Sequence, residues 1–364
     1  MPEFLHWLTR SVSCLTPYPF RWAMLLFALA PATAFGAMPK DGLAVALSPD
    51  GERLVVAGEN RTLYLLDADT FDVTERYYLG HAPVRLVVTN SDRVWLLDEE
   101  EELFMFDLET AKLESVAKEV LAFTAAPMAG KLLFAIQEAD KTILKLLQLD
   151  DAKVLRKWEL QEPVRVETVA LSADGTQAGY FSKTLEETSE QNSAKEDLPP
   201  GLSDAERKAW DQQRDGRAAE ATVWETQSGK KLWERRTYFV ATGSTCALIH
   251  EGRMCVAGFG NFNASIPEEG PVQTYAASDH LNYAMAFSED GQWLYSGGRG
   301  EGAFTPLREP EQSVVFALND LAESDETFTG FAGRGDGKIY ATTSAWRLFE
   351  FDQDAKIIRW TPVY

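Results

Sequence analysis

The sequence has few of the residues that build covalently or metal-stabilised folds. Its 364 residues include three cysteines and four histidines, too few for a disulfide scaffold or a cysteine-rich zinc site. Basic charge is also scarce, because 35 Lys and Arg face 56 Asp and Glu and the net charge is −21. Such a chain repels a phosphate backbone, so we expect no nucleic acid partner. A hydrophobic share of 45% excludes a disordered chain, and a charged share of 25% excludes a polytopic membrane protein.

The first 36 residues have the pattern of a secretory signal peptide. Arg10 and Arg21 precede an apolar run at 22–30, and small residues suited to cleavage follow at 32–37. The apolar stretch contains Pro31 and is shorter than the roughly 20 residues that a spanning helix needs. We therefore expect an exported protein, periplasmic or secreted. The alternative is an uncleaved anchor, through which alone the chain would meet a membrane.

From residue 38 onward the chain repeats. Short runs of alternating apolar residues are separated by turn clusters, the period-two pattern of β-strands. The clearest turns are SPDG at 48–51, SADG at 172–175 and SEDG at 288–291, in which Asp and Gly tolerate positive φ. With weaker copies, the turn markers fall at positions 51, 92, 130, 175, 252, 291 and 337. The spacing of about 40 residues, with one longer interval, is typical of propeller blades.

The predicted fold is all-β. It is a seven-bladed β-propeller of four-stranded antiparallel blades over 38–364, with a charged, partly helical insertion at 183–220 in blade 4. A pair of β-sandwiches is the alternative, but sandwiches do not produce a regular 40-residue period. Closure is expected to depend on packing of blade 1 against blade 7.

The repeat resembles a known family. SPDG at 48–51 and strands ending in an acid, such as LYLLD at 63–67, resemble the WD40-type propeller repeat, in which S-P-D-G follows the innermost strand and W-D ends the third. Gly80-His81 stands where that family has its Gly-His pair. WETQSGKKLW at 224–233 is more similar to the quinoprotein-type repeat. The resemblance covers about residues 40–364 and implies a divergent exported propeller, in which Leu or Phe mostly replaces the tryptophan of W-D.

Binding groups of a propeller are expected in its loops, because packing occupies the strands. The connections between second and third strands open on one face, and the sequence predicts long ones at 183–220, 259–271 and 299–312, in blades 4 to 6. We expect this face to hold a protein or peptide partner. The candidate contact residues are Trp210, Arg214, Phe262, Asn263, Arg299, Phe304 and Arg308.

Two of these candidates lie in the blade 4 insertion. The capping box at 203–206 predicts a helix that Gly216 ends, with Trp210 and Arg214 on it. Trp210 either folds back on the propeller rim or anchors a partner, since Trp and Arg dominate interface energetics.

The arginines of blade 6 also have two interpretations. Against the acidic background, Arg299 and Arg308 are suited to capturing a carboxylate. The alternative is that they pair with the neighbouring Glu301 and Glu309.

The sequence has few patterns that are typical of catalytic or metal-binding sites. His81 and His280 precede inner strands in blades 2 and 6, across the channel, and only Asp279 stands near them by sequence, so we predict no metal site and no cofactor. A non-catalytic scaffold is the main prediction. The alternative is an enzyme resembling the seven-bladed lactonase propellers, with His81, His280, Arg299 and Glu301 as candidates.

Cys246 and Cys255 flank a predicted hairpin turn in blade 5. If Ile249 and Gly252 close a two-residue turn, the two cysteines oppose each other in a non-hydrogen-bonded pair. The distance between their Cα atoms would then lie at the short end of the range that disulfides span. An oxidising compartment would permit the bond. The alternative is two buried free thiols.

Overall fold

The computed structural model describes residues 42–88, 92–139, 141–160, 164–183, 207, 219–237, 244–258, 263–275, 282–318, 326–333 and 337–363. The propeller formed by these residues belongs to one compact unit, Phe35–Tyr364. The predicted signal peptide lies outside the described residues, as does the blade 4 insertion except for its two ends and Arg207. None of the helices in the described part has the length and apolarity to cross a membrane.

Seven sheets, each of four antiparallel strands in chain order, form the seven blades. The first four blades have the following strands, from the innermost outward: blade 1, β1 (Leu43–Leu47), β2 (Arg53–Gly58), β3 (Thr62–Asp67), β4 (Val73–Tyr78); blade 2, β5 (Pro83–Val88), β6 (Arg93–Asp98), β7 (Leu103–Asp107), β8 (Lys112–Ala117); blade 3, β9 (Val120–Ala126), β10 (Lys131–Glu138), β11 (Lys141–Gln148), β12 (Val154–Glu159); blade 4, β13 (Arg165–Leu171), β14 (Gln177–Lys183), β15 (Ala219–Glu225), β16 (Lys231–Thr237).

The remaining blades follow the same plan: blade 5, β17 (Ser244–His250), β18 (Arg253–Gly258), β19 (Asn263–Ile266), β20 (Gln273–Tyr275); blade 6, β21 (Ala284–Phe287), β22 (Trp293–Gly297), β23 (Glu301–Pro306), β24 (Val314–Ala317); blade 7, β25 (Phe328–Gly333), β26 (Ile339–Thr343), β27 (Arg347–Phe351), β28 (Ile357–Pro362). Two single 3₁₀ turns, Pro127–Ala129 and Pro310–Gln312, complete the regular structure of the described residues. The predicted seven-bladed propeller is confirmed.

Burial explains the strand sequences. Inner strands are covered on both faces, so β1 is buried at all five positions and reads as a continuous apolar run. The outermost strand has one face toward solvent, and β28 therefore alternates half-buried and exposed residues. The hydrophobic core lies between neighbouring blades; one cluster, for example, joins Leu63 and Val55 of blade 1 to Leu96 and Phe104 of blade 2.

The repeated Ser-x-Asp-Gly turns have a common hydrogen-bond pattern. In blade 1, Ser48 Oγ donates to Asp50 Oδ1 over 2.5 Å, and the N–H of Glu52 donates to the same carboxylate oxygen over 3.0 Å. Gly51 has a φ of 78°, which its missing side chain makes accessible. Burial alone would raise the pKa of Asp50, but the hydrogen bonds from Ser48 and from the Glu52 N–H outweigh it and hold that pKa below its usual value.

Blades 1 and 7 close the ring by side contacts, as expected. Within the described residues, each blade uses four consecutive strands, so no strand is exchanged between the chain ends. Thr329 Oγ1 donates to the carbonyl oxygen of Leu43 over 2.7 Å, joining β25 to β1. Arg359 of β28 reaches blade 1, where its Nη2 donates to the carbonyl oxygen of Ala68 over 2.7 Å and its guanidinium carbon lies 3.9 Å from the ring centre of Phe71.

The predicted long connections of blades 5 and 6 are wrong. Only 259–262 separate β18 from β19, and only 298–300 separate β22 from β23. Residues 263–266 and 301–306, which were expected in these loops, instead form the third strands. Among the seven second-to-third connections, whose flanking strand ends are all described, the one in blade 4 stands apart: it runs from 184 to 218, while the others have two to four residues.

The register that supported the disulfide prediction is also wrong. His250 pairs with Arg253, so the two-residue turn is Glu251-Gly252, one residue later than predicted. Cys246 then pairs with Ala257 and Cys255 with Leu248, which makes the two cysteines diagonal neighbours. Diagonal positions are about 7–8 Å apart, beyond what a disulfide bridges without backbone movement. The structure accordingly has both cysteines as thiols rather than joined in a disulfide.

We therefore expect two reactive thiols from blade 5. Alkylation of the purified protein under denaturing conditions, without reductant, should add one alkyl group to the peptide containing Cys246 and one to the peptide containing Cys255. Mass spectrometry of the digested protein checks this, with a reduced sample as the control. A peptide pair linked through sulfur would show instead that the backbone moves enough to form the bond.

Candidate functional site

The seven predicted contact residues do not form one site. Trp210, Arg214 and Phe262 lie outside the described residues. Phe304 lies in β23 rather than in a loop, is fully buried, and packs edge-on against Tyr295 at 5.4 Å between ring centres. Asn263 begins β19 and is also fully buried, and among the described residues neither its amide nitrogen nor its amide oxygen has a hydrogen-bond partner. Neither Phe304 nor Asn263 is accessible to a partner in this structure, which corrects their assignment.

The two arginines lie at opposite ends of the propeller. Arg299 is in the turn between β22 and β23, on the end where second strands pass to third strands; we call this end the insertion face. Arg308 follows β23 and lies at the other end. Its Nε and Nη2 both donate to Glu251 Oε1, over 3.0 and 2.5 Å. Arg308 therefore pairs with a residue of the preceding blade, blade 5, rather than with the predicted Glu309.

This ion pair is a surface feature. The hydrogen bonds from Arg308, followed by its positive charge, hold the pKa of Glu251 below its usual value. Both side chains are largely exposed to solvent, so the pair contributes little to stability.

His81 has the structural role that a Gly-His pair suggests. Its Nδ1 lies 2.9 Å from Asp98 Oδ2, and its ring packs on Phe104 with 4.3 Å between centres. Asp98 is buried and also accepts hydrogen bonds from the N–H groups of Glu100 and Glu102. The dyad thus fixes the turn between β6 and β7. His280 and Asp279, the other predicted members of a site with His81, lie outside the described residues.

The described residues contain no group of three or more His, Cys, Asp or Glu side chains placed to hold a metal ion. They also line a partly open cavity of about 210 Å³ along the propeller axis. Its wall comes mainly from the innermost strands and combines polar with apolar surface, with Val45, Val87, Phe123, Met285 and Phe331 among the lining residues.

Two charged side chains appear among the described residues that line this channel. Glu289 follows β21, near the end opposite the insertion face, whereas Arg85 is the third residue of β5, which starts at the insertion face. Arg85 Nη1 donates to the carbonyl oxygen of Phe123 over 2.9 Å, and the guanidinium carbon lies 5.8 Å from the centre of the Phe123 ring. These contacts hold the guanidinium on the channel wall between blades 2 and 3.

Burial within the channel lowers the pKa of Arg85 from its usual value, and the electrostatic interaction with the nearby Cys246 opposes that shift. The guanidinium nevertheless stays protonated at neutral pH. The sequence-based candidates omitted Arg85. Its signal was an arginine at the third position of the otherwise apolar segment PVRLVV, 83–88, in an innermost strand.

The fold and the channel define the chain as a seven-bladed β-propeller. No family model and no curated protein matches the sequence. Among solved structures, a chain of Kuenenia stuttgartiensis hydrazine synthase is similar in fold, with a TM-score of 0.58 and 13% sequence identity. The alignment covers 90% of this chain and 99% of that chain. At this level of identity, the similarity shows a shared propeller fold alone.

Proposed function

We propose that the protein is an exported, non-catalytic propeller scaffold that binds a protein or peptide partner at its insertion face. The observation that carries the proposal is the asymmetry of the second-to-third connections. Lys183 of β14 pairs directly with Ala219 of β15, so those two strands need only a short turn to join them. The chain instead places 35 residues, 184–218, between these paired positions.

The propeller does not require this segment for its core. The second and third strands of blade 4 pair over seven residues, from Gln177 with Glu225 to Lys183 with Ala219. Closing a loop of this length costs about 2 kcal/mol more than closing a four-residue turn, because each doubling adds roughly 0.6 kcal/mol. A connection retained against that cost favours a role in recognition, since binding groups in rigid folds concentrate in loops.

Composition supports partner binding by this segment. It combines many charged residues with a single aromatic side chain, Trp210, and a tryptophan surrounded by polar residues is the arrangement that interface anchors commonly have.

Replacing 184–218 by a Gly-Ser-Gly-Ser linker should leave the propeller folded and abolish partner binding. We expect the melting temperature to stay within a few degrees or rise, since closure of a shorter loop stabilises by about 2 kcal/mol. Binding is measured by affinity capture from the exported fraction, followed by titration of the identified partner with both purified proteins. Trp210→Ala in the full chain tests whether Trp210 itself contacts the partner. The matched control is Trp360→Ala, which removes a half-exposed tryptophan from β28.

Three outcomes would contradict this proposal. One is loss of soluble protein on deletion, which would place the segment in the core. Another is equal partner binding by the deletion variant and the full chain. The third is lactone hydrolysis by the purified protein that Arg299→Ala abolishes, which would favour the lactonase-like alternative.

A further inference from the structure

The channel contains a guanidinium group without an acidic partner. Within the described part of the chain, Arg85 contacts the Phe123 carbonyl and ring and lies near Cys246, and no carboxylate binds it. This is unexpected in a protein with 56 Asp and Glu, where exposed arginines such as Arg308 readily find an acid.

An enclosed cation without an anion is costly. A guanidinium has five N–H donors, and the Phe123 carbonyl takes a hydrogen bond from one of its nitrogens. Removing such a charge from bulk water without pairing it is unfavourable, and an incoming anion would offset that cost. A cation on the channel wall of an acidic chain is therefore suited to attract an anion locally, although the overall charge repels one.

The volume and lining of the cavity set a second requirement, which concerns the size and polarity of the ligand. A cavity of about 150 Å³ can hold benzene, so this partly open cavity of about 210 Å³ has room for a ring with one small substituent. Met285 and Phe331, which are 8% and 5% exposed, supply apolar and polarisable surface for such a body. Carboxylate geometry matches the planar guanidinium, which binds it with two parallel hydrogen bonds.

We infer that the channel is a binding site for a small monocarboxylate with an apolar body, whose carboxylate pairs with Arg85 while its body contacts the Met285 and Phe331 side chains. This site is separate from the insertion 184–218. Failure of the scaffold proposal and failure of the channel proposal are therefore distinguishable with the deletion variant, which should retain the channel site.

The test uses benzoate and its neutral analogue benzamide as probes of the full chain. Isothermal titration calorimetry at constant ionic strength, with probe up to the millimolar range, should show benzoate binding about tenfold or more tightly than benzamide, since a bidentate ion pair adds to the shared apolar contacts. This comparison needs no variant, so it does not depend on whether a substituted channel folds.

Variants then locate the binding. Arg85→Met should lower benzoate affinity about tenfold or more and leave benzamide affinity unchanged, because it removes the charge and keeps an apolar side chain of similar length. Arg308→Met, which removes a cation at the other end of the propeller, is the matched control and should bind benzoate normally. Arg85→Lys should restore part of the benzoate affinity.

Each contrary result overturns the inference. Absence of benzoate binding shows that the channel does not take a monocarboxylate. Equal affinity for benzoate and benzamide shows an apolar cavity that does not use the guanidinium. Unchanged benzoate binding by Arg85→Met, with melting as in the wild type, places the anion elsewhere on the protein.

Discussion

Replacing Arg347 by Met should destabilise the propeller by about 3–5 kcal/mol, the cost of leaving a buried carboxylate without its cation. Arg347 Nε donates to Glu326 Oε1 over 2.9 Å, and Nη2 also contacts that carboxylate. The Glu326 side chain is 1% exposed, and that of Arg347 is 13% exposed, so water does not replace the lost partner. The guanidinium carbon also lies 5.2 Å from the ring centre of Trp360, a cation–π contact that methionine forfeits. Chemical denaturation of the purified protein measures the free energy of unfolding.

A double-mutant cycle separates the charge from the packing. Glu326→Gln combined with Arg347→Met leaves no buried ion, and we expect this double variant to be more stable than Arg347→Met alone. Thr343 Oγ1 donates to Glu326 and retains an oxygen acceptor when glutamine replaces the glutamate. A loss below about 1 kcal/mol in Arg347→Met would show that the pair behaves like an exposed surface ion pair.

The repeat was predictable from sequence because each blade has the same burial requirement. Every blade covers both faces of its inner strands, so a unit of about 40 residues returns to the same pattern of apolar runs and Asp-Gly turns. The turn beginning at Ser48 illustrates this: the turn was predicted, and its serine and aspartate form local hydrogen bonds that hold it. Local chemistry and the global fold agree at these positions, and prediction succeeds there.

The third strands of blades 5 and 6 were missed because their residues are small or polar. At Gly302, a Cβ atom would lie 2.5 Å from the ring of Phe316, so the strand leaves room for a neighbouring aromatic ring and has the composition of a loop. Asn263 lies fully buried in β19, where an amide would not be expected. Whether a strand can hold Gly302 or Asn263 depends on side chains that are distant in the sequence.

The hairpin of blade 5 was predicted in the wrong register for a different reason. Its turn has positive φ at both central residues, 50° at Glu251 and 76° at Gly252. A glycine with positive φ was predictable at this turn. A glutamate with positive φ is uncommon, so the sequence favoured a turn one residue earlier. A shift of one residue was enough to separate Cys246 from Cys255. Arg85 was missed for a related reason, since channel wall positions are defined only once the ring is closed.

Replacing Phe304 by Ala should destabilise the protein by about 3–5 kcal/mol, the range for a fully buried aromatic side chain. Phe304 lies within an aromatic cluster that spans blades 6 and 7. Its ring centre is 5.4 Å from Tyr295, 4.8 Å from Phe316 and 5.7 Å from Phe351. Truncation leaves a cavity among rigid rings, which relax only partly, and it also removes edge-to-face contacts with two of them.

A matched substitution in the next strand distinguishes the core role from the partner-contact role predicted for Phe304. Val315 of β24 is 55% exposed, and Val315→Ala should change the free energy of unfolding by no more than about 0.5 kcal/mol. If Phe304 belonged to a binding surface instead, Phe304→Ala would unfold with the same denaturation midpoint as Val315→Ala and would weaken only partner binding. We expect the reverse: a large decrease in the denaturation midpoint for Phe304→Ala, with a near wild-type midpoint for Val315→Ala, because the ring contributes to the packing that holds blade 6 against blade 7.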